Sequence, residues 1–185
     1  KKGFFCKGKD GTEFVAGVWP GKTHFPDFLN PEARKWFGNK YKILTDMGIE
    51  GFWNDMNEPA IFYSEEGIAE VFEIVASFKG KELGVNEFFQ LRDTVTNVSN
   101  NKEDYKRFYH QVPQEDGTVA IINHNDIHNL YGYNMTRAAG EAFTKTLSPE
   151  KRILLFSRSS YIGMHRYGGI WTGDNNSWWQ HLLLN

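Results

Sequence analysis

Apolar and polar positions along the chain follow two periods, and together they predict an α/β protein. Thr12-Glu13-Phe14-Val15-Ala16-Gly17-Val18-Trp19 reads as a short strand, ended by Pro20-Gly21. Asn30-Pro31 marks a helix start, an Asn cap with proline at the first helical position. Ala33, Trp36, Phe37, Tyr41, Leu44 and Met47 then recur at helical spacing, and Gly48 sits where such a helix should stop. Ile49 to Asn54 follows as a strand with almost no connecting loop. A helix feeding straight into a strand is the mark of an α/β fold.

The rhythm weakens from about Pro59 to Asp116. Short helices are predicted at 86–95 and 102–110, and Val119 to Ile122 reads as a strand. A stretch this long without a clear βα rhythm reads as an insertion, about 60–117, on one face of the fold. A stronger helix is predicted over 130–147, with Met135, Ala138, Ala139, Ala142, Phe143 and Leu147 as its apolar stripe and Ser148-Pro149 as its end. Ile153-Leu154-Leu155-Phe156 is a continuous apolar run of the buried parallel-strand type, and Gly169-Ile170-Trp171-Thr172 a second short strand. Asn175-Asn176 can cap a last helix through Trp178 and Trp179 to Leu184.

Buried strands alternating with helices fit either a doubly wound sheet or a (β/α)8 barrel. No glycine-rich phosphate fingerprint follows any strand, which counts against a nucleotide-binding doubly wound fold. A barrel takes about 250 residues. The 185 residues here, starting at Lys1 rather than Met and stopping inside an apolar helical run, read as an internal stretch of a larger protein. Residues 1–185 alone are therefore expected to be neither a stable fold nor an enzyme.

Composition narrows the function. A net charge of −2 gives a nucleic acid no basic footprint to bind. No apolar run approaches the roughly 20 residues a membrane-spanning helix needs. The single cysteine, Cys6, rules out a disulfide framework and a cysteine-rich zinc site, and weakly favours a cytoplasmic, bacterial-type location. The aromatic share of 16% suits flat apolar ligands such as sugar rings as well as it suits a core.

The candidate chemistry lies at two strand ends. In Trp53-Asn54-Asp55-Met56-Asn57-Glu58-Pro59, residues two apart point the same way, so Trp53 and Asp55 share a face. Gly168-Gly169-Ile170-Trp171-Thr172-Gly173-Asp174-Asn175 repeats the arrangement, with Gly173 allowing a sharp turn before Asp174. Either aspartate alone could be a helix cap. Two acids at the ends of neighbouring barrel strands, each preceded by a tryptophan, can instead face one pocket at the mouth of a barrel. Paired carboxylates across a sugar are the minimum machinery for breaking a glycosidic bond.

These motifs, with Val18-Trp19-Pro20-Gly21, Phe25-Pro26-Asp27-Phe28, His128-Asn129-Leu130-Tyr131-Gly132 and Ser157-Arg158-Ser159, occur in an order that resembles glycoside hydrolase family 31, and within it the bacterial gut-commensal α-glucosidases. The resemblance covers nearly the whole chain. It implies the part of a (β/α)8 TIM barrel around strands 4 to 6, with flanking β domains outside this chain. It implies a retaining α-glucosidase acting on malto- or isomalto-oligosaccharides, without cofactor or metal. Asp55 matches the family's nucleophile and Asp174 its general acid/base. Arg158 matches an arginine that binds a substrate hydroxyl, and Trp19, Trp53, Met56 and Trp171 match residues lining the first sugar subsite. In this reading Glu58 holds the loop.

Three other readings stay open at this point. The same family contains α-xylosidases. Asn57-Glu58-Pro59 also resembles the strand end of retaining β-glycosidases, where Glu58 would be the acid/base. A non-catalytic sugar-binding domain would keep the aromatic platforms but has no reason to hold both aspartates. His124 and His128, four apart around Asp126, have metal-ligand spacing, but no helix or third ligand is evident for them.

Overall fold

Two units pack around separate cores, one from Lys1–Asp27 with Ala60–Ile127, the other from Phe28–Pro59 with His128–Asn185. The computed structural model describes residues 3–184. In chain order these form β1 (Lys7–Gly8), β2 (Val15–Val18), β3 (Gly21–His24), α1 (Pro31–Lys40), α2 (Lys42–Thr45), β4 (Gly51–Asn54), β5 (Tyr63–Ser64), α3 (Glu65–Ser77), α4 (Val85–Thr96), β6 (Phe108–Pro113), β7 (Val119–Asn123), α5 (His124–Ile127), α6 (Leu130–Ala142), β8 (Leu154–Ser157), β9 (Gly169–Ile170) and α7 (Trp179–Leu184). None of these helices is long and apolar enough to cross a membrane.

The first unit holds two antiparallel sheets, ordered β1-β6-β7 and β3-β2-β5. Its core is aromatic, with Phe14 stacked on Phe108 at 4.5 Å and Phe25 beside both. Ser64 caps α3 by accepting the Gly67 N–H at 2.9 Å, and its hydroxyl donates to the buried Asp104 at 2.6 Å.

The sequence reading needs two corrections here. A helix over 102–110 is replaced by a short 3-10 turn, Lys102–Lys106, and then strand β6. Phe108 and His110 alternate inward there and are fully buried, which is the period of a strand. Helix α3 was not anticipated. Its Phe72 is 65% exposed, so its apolar residues do not form a single buried stripe.

The second unit is built on the parallel sheet β4-β8-β9. Phe52 and Leu155 point to one side and form a buried cluster with Ala139 and Phe143 of the helix layer, flanked by Tyr41, Leu147 and Ile153. Asn30 caps α1 as expected, accepting the Glu32 N–H at 2.9 Å. Helix α1 presses against α6 at Gly38, where an added Cβ would lie 2.3 Å from the Ala138 carbonyl oxygen.

The long helices predicted for this unit are each interrupted. The run from Pro31 breaks at Tyr41 and resumes as α2, and Gly48 ends it at φ +87°. The run over 130–147 leaves the α-helix at Ala142 and continues as a π turn, Phe143–Leu147. There Thr144 and Thr146 donate back to the carbonyls of Gly140 and Ala142 at 2.9 Å. Parallel strands backed by helices match the barrel portion expected from the sequence.

Candidate active site

The register of the parallel sheet fixes which side chains meet. Trp53 pairs with Phe156 and Asn54 with Ser157, and Ser157 pairs in turn with Ile170. One further step along the strands sets Asp55 opposite Arg158, and Arg158 opposite Trp171. The Arg158 N–H, bonded to the Asn54 carbonyl at 3.0 Å, carries the ladder that one step further. Because side chains alternate, Trp53, Asp55, Phe156 and Arg158 all point away from the buried face that holds Phe52 and Leu155. This is the face the sequence assigned to Trp53 and Asp55.

The aromatic residues form a platform on that face. Trp53 is 57% exposed and lies edge-on to Trp171 at 5.3 Å, and Trp171 is perpendicular to Phe156 at 5.7 Å. Exposed indole rings at a strand end offer apolar faces of the size a sugar ring presents.

The loop after β4 turns sharply. Met56 adopts φ +58°, the left-handed region that a residue with a long side chain seldom occupies, and its N–H donates to Asp55 Oδ1 at 2.8 Å. Asn57 is buried and stitches this loop to the one after β8. Its Nδ2 donates to Ser157 Oγ at 2.8 Å, and its Oδ1 accepts the Ser159 N–H at 3.1 Å. Ser157 Oγ donates in turn to the Ser159 carbonyl at 2.8 Å. Gly132 of α6 closes over the same junction, leaving no room for a Cβ, which would meet Ser159 Cβ at 2.5 Å and the Asn57 carbonyl oxygen at 2.8 Å.

Arg158 is the electrostatic centre. Nε and Nη2 donate to the two oxygens of Glu58, each at 2.9 Å, while Nη2 also lies 3.0 Å from Met56 Sδ. Nη1 lies 3.4 Å from Asp55 Oδ1. The Glu58 hydrogen bonds, with the charges of Asp55 and Asp174, hold the guanidinium more firmly protonated than usual. Asp174 itself is exposed and follows Gly173, whose φ of +96° makes the turn the sequence predicted. His128 sits near Glu58; burial pushes its imidazole below the usual range, and the Glu58 charge partly opposes this. A cavity of about 540 Å³ opens beside Asp174, lined by residues that include Thr172, Gly173, Asn175, Trp178 and His181.

The second unit thus brings together Trp53, Asp55, Met56, Arg158, Trp171 and Asp174. Trp19 belongs to the other unit, 72% exposed and edge-on to Phe62 at 5.0 Å. The sequence reading left Glu58 and Asn57 without partners. The signal was strand parity, which becomes usable once β4 and β8 are known to be neighbours.

The ligand-type side chains that gather are not the His124 and His128 pair suggested by their spacing. Among the described residues Cys6, Asp27 and His110 bring ligand atoms within 4.8 Å of one another, fully buried in the first unit. The Asp27 carboxylate accepts from the Gln111 N–H at 2.6 Å and lies 2.7 Å from His110 Nδ1, while His110 Nε2 meets His124 Nδ1 at 3.1 Å. That is a satisfied core network.

The family model described as the glycosyl hydrolases family 31 TIM-barrel domain matches residues 1–185. The chain belongs to glycosyl hydrolase family 31. It is 34% identical over 182 residues to alpha-glucosidase 2 of Bacillus thermoamyloliquefaciens, covering 98% of this chain and 18% of that protein. It is 32% identical over 190 residues to neutral alpha-glucosidase AB of Dictyostelium discoideum, covering 100% of this chain and 15% of that protein. Among solved structures, a Flavobacterium johnsoniae family 31 dextranase complexed with glucose aligns with a TM-score of 0.60 at 28% identity, covering 94% of this chain and 16% of that one. The family 31 alpha-glucosidase from Bacteroides thetaiotaomicron aligns with a TM-score of 0.55 at 27% identity, covering 98% and 22%. The chain therefore spans under a quarter of the length of these relatives. The sheet β4-β8-β9 is part of a family 31 barrel.

Proposed function

We propose that the full-length protein is a retaining α-glucosidase. The observation that carries this is the parallel register that sets Asp55 beside Arg158, on the open face that also presents Trp53 and Trp171. Family membership and the alpha-glucosidase relatives support the substrate class.

In this mechanism Asp55 attacks the anomeric carbon of the terminal glucose while Asp174 protonates the glycosidic oxygen, which leaves with the rest of the substrate. Asp174 then takes a proton from water, and the water oxygen displaces Asp55 from the anomeric carbon. Two displacements at one carbon return the original α configuration. Arg158 Nη1 points toward Asp55 and binds a sugar hydroxyl beside it, while Trp53, Trp171 and Met56 line the first subsite. Residues 1–185 are the central part of the barrel, with 60–117 as an inserted stretch. The two-point grip of Arg158 on Glu58 argues against Glu58 as a free acid/base, because both its oxygens are already committed.

The test is proton NMR of the full-length protein acting on an aryl α-glucoside. α-Glucose should be the first product, with the β anomer growing in only by mutarotation. Prompt β-glucose would refute the double displacement, and no turnover would refute the activity.

A further inference from the structure

We propose that Glu58 is a positioning residue for this chemistry, holding the Arg158 fork so that Arg158 steers but does not trap Asp55. The inference rests on the reading of Asp55 as the nucleophile. A guanidinium has a rigid planar fork, and a carboxylate gripping Nε and Nη2 fixes its plane as well as its position. Glu58 does this with two bonds of 2.9 Å, which leaves Nη1 toward Asp55 at 3.4 Å, longer than a strong charge-assisted bond.

Stapling the two loops cannot be the whole purpose of the pair. Asn57 already joins them, through Ser157 Oγ and the Ser159 N–H. What Glu58 adds is orientation and balancing charge. Without it the fork would be free to turn onto Asp55, which then lies nearest at 3.4 Å. An aspartate held by a full two-point ion pair has its lone pairs engaged and attacks more slowly.

Removing Glu58 takes a negative charge from the set and leaves the guanidinium free to approach Asp55. The other charged and titratable groups around this set are Asp174, which acts on Arg158, and His128, which lies near Glu58.

The experiment is a double-mutant cycle in the full-length protein, Glu58→Gln crossed with Arg158→Gln, on an aryl α-glucoside. Glu58→Gln alone should lower kcat roughly tenfold to a hundredfold, the penalty for a misplaced catalytic group. In the Arg158→Gln background the same change should cost less than about threefold in kcat, because the pair acts as a unit. Glu58→Asp keeps the charge beside the fork and should recover part of the kcat that Glu58→Gln loses. Equal losses in both backgrounds, or no recovery with Glu58→Asp, would overturn the proposal. If Glu58→Gln fails to fold, Glu58→Asp in the two backgrounds supplies the cycle: a loss of kcat that shrinks in the Arg158→Gln background supports the proposal, and equal losses or no loss overturn it. If the unmutated protein does not hydrolyse the glucoside, the activity reading fails on its own. The cycle is then read as glucose affinity by calorimetry: a coupled loss supports the Glu58–Arg158 unit, and additive losses or no glucose binding overturn it.

Discussion

Replacing Gly132 with alanine is the sharpest test of how closely the helix layer supports the site. The new methyl would lie 2.5 Å from Ser159 Cβ, 2.7 Å from Ser159 Oγ and 2.8 Å from the Asn57 carbonyl oxygen. Two of these neighbours belong to chain segments that cannot rotate away, so α6 or the two loops must move apart. Overpacking of this kind costs about 1–3 kcal/mol. Alanine returns about 1 kcal/mol of helix propensity at the same position. The net loss of stability is therefore small, about 0–2 kcal/mol, and the geometric loss dominates. Asn57 sits between Asp55 and Glu58, and Ser159 follows Arg158, so the displacement reaches the carboxylates and the guanidinium directly. A shift near 1 Å costs on the order of a hundredfold. Gly132→Ala in the full-length protein should lower kcat/KM roughly tenfold to a hundredfold, with the thermal inactivation midpoint down by only a few degrees. Ser159→Gly should recover part of the loss by removing two of the three contacts. Kinetics within twofold of the parent would show that the loops have slack the packing does not suggest.

Asp55→Ala should abolish turnover in the full-length protein, and azide should restore some release of an activated aryl leaving group; a variant keeping more than about a tenth of the rate would remove Asp55 as nucleophile. His128 is held below its usual value of 6.5 by burial, so its contribution to stability is present above that value and lost as pH falls through the lower folded value. His128→Gln should flatten the fall in melting temperature on acidification, and an unchanged slope would contradict the burial argument. Burial and the Asp27 charge push the Cys6 thiol well above its usual range, so iodoacetamide at about pH 8 should label Cys6 in the unfolded protein and leave the native one unmodified.

What was legible in the sequence follows from where single periods rule. In β4 the alternation of Phe52 and Asn54 against Trp53 and Asp55 is a local property, so the shared face of Trp53 and Asp55 could be read without knowing any neighbour. The helix start at Asn30-Pro31 and the turn at Gly173 rest on the same kind of local chemistry. The region from Glu65 to Phe108 was legible only in part: the helix expected at 86–95 is α4, but α3 exposes apolar side chains and the turn into β6 passes through a 3-10 segment, which leaves no clean stripe to count. The partner through which Glu58 acts was out of reach for a different reason. It depends on β4 and β8 being adjacent and parallel, a pairing separated by about a hundred residues of chain.

That pairing turns three ordinary strand ends into a site. Parallel neighbours end on the same edge, so the last side chain of each strand arrives at the same height. Asp55, Arg158 and Trp171 are one step past the last paired residues of β4, β8 and β9. The first steps beyond the ladder are also where backbone is freed from sheet geometry, which lets Met56 take φ +58° and Gly173 φ +96°. The rigid part of the fold thus sets the height of Asp55, Arg158 and Trp171, and the two turns set the direction of the loops that follow. Moving the register of β8 by a single residue would put Ser157 or Ser159 opposite Asp55 and turn Arg158 toward the helix layer. The apolar run Ile153-Leu154-Leu155-Phe156, which carries no chemistry, is therefore what keeps a cation beside Asp55, because burying Leu155 against Phe52 and Phe143 fixes that register.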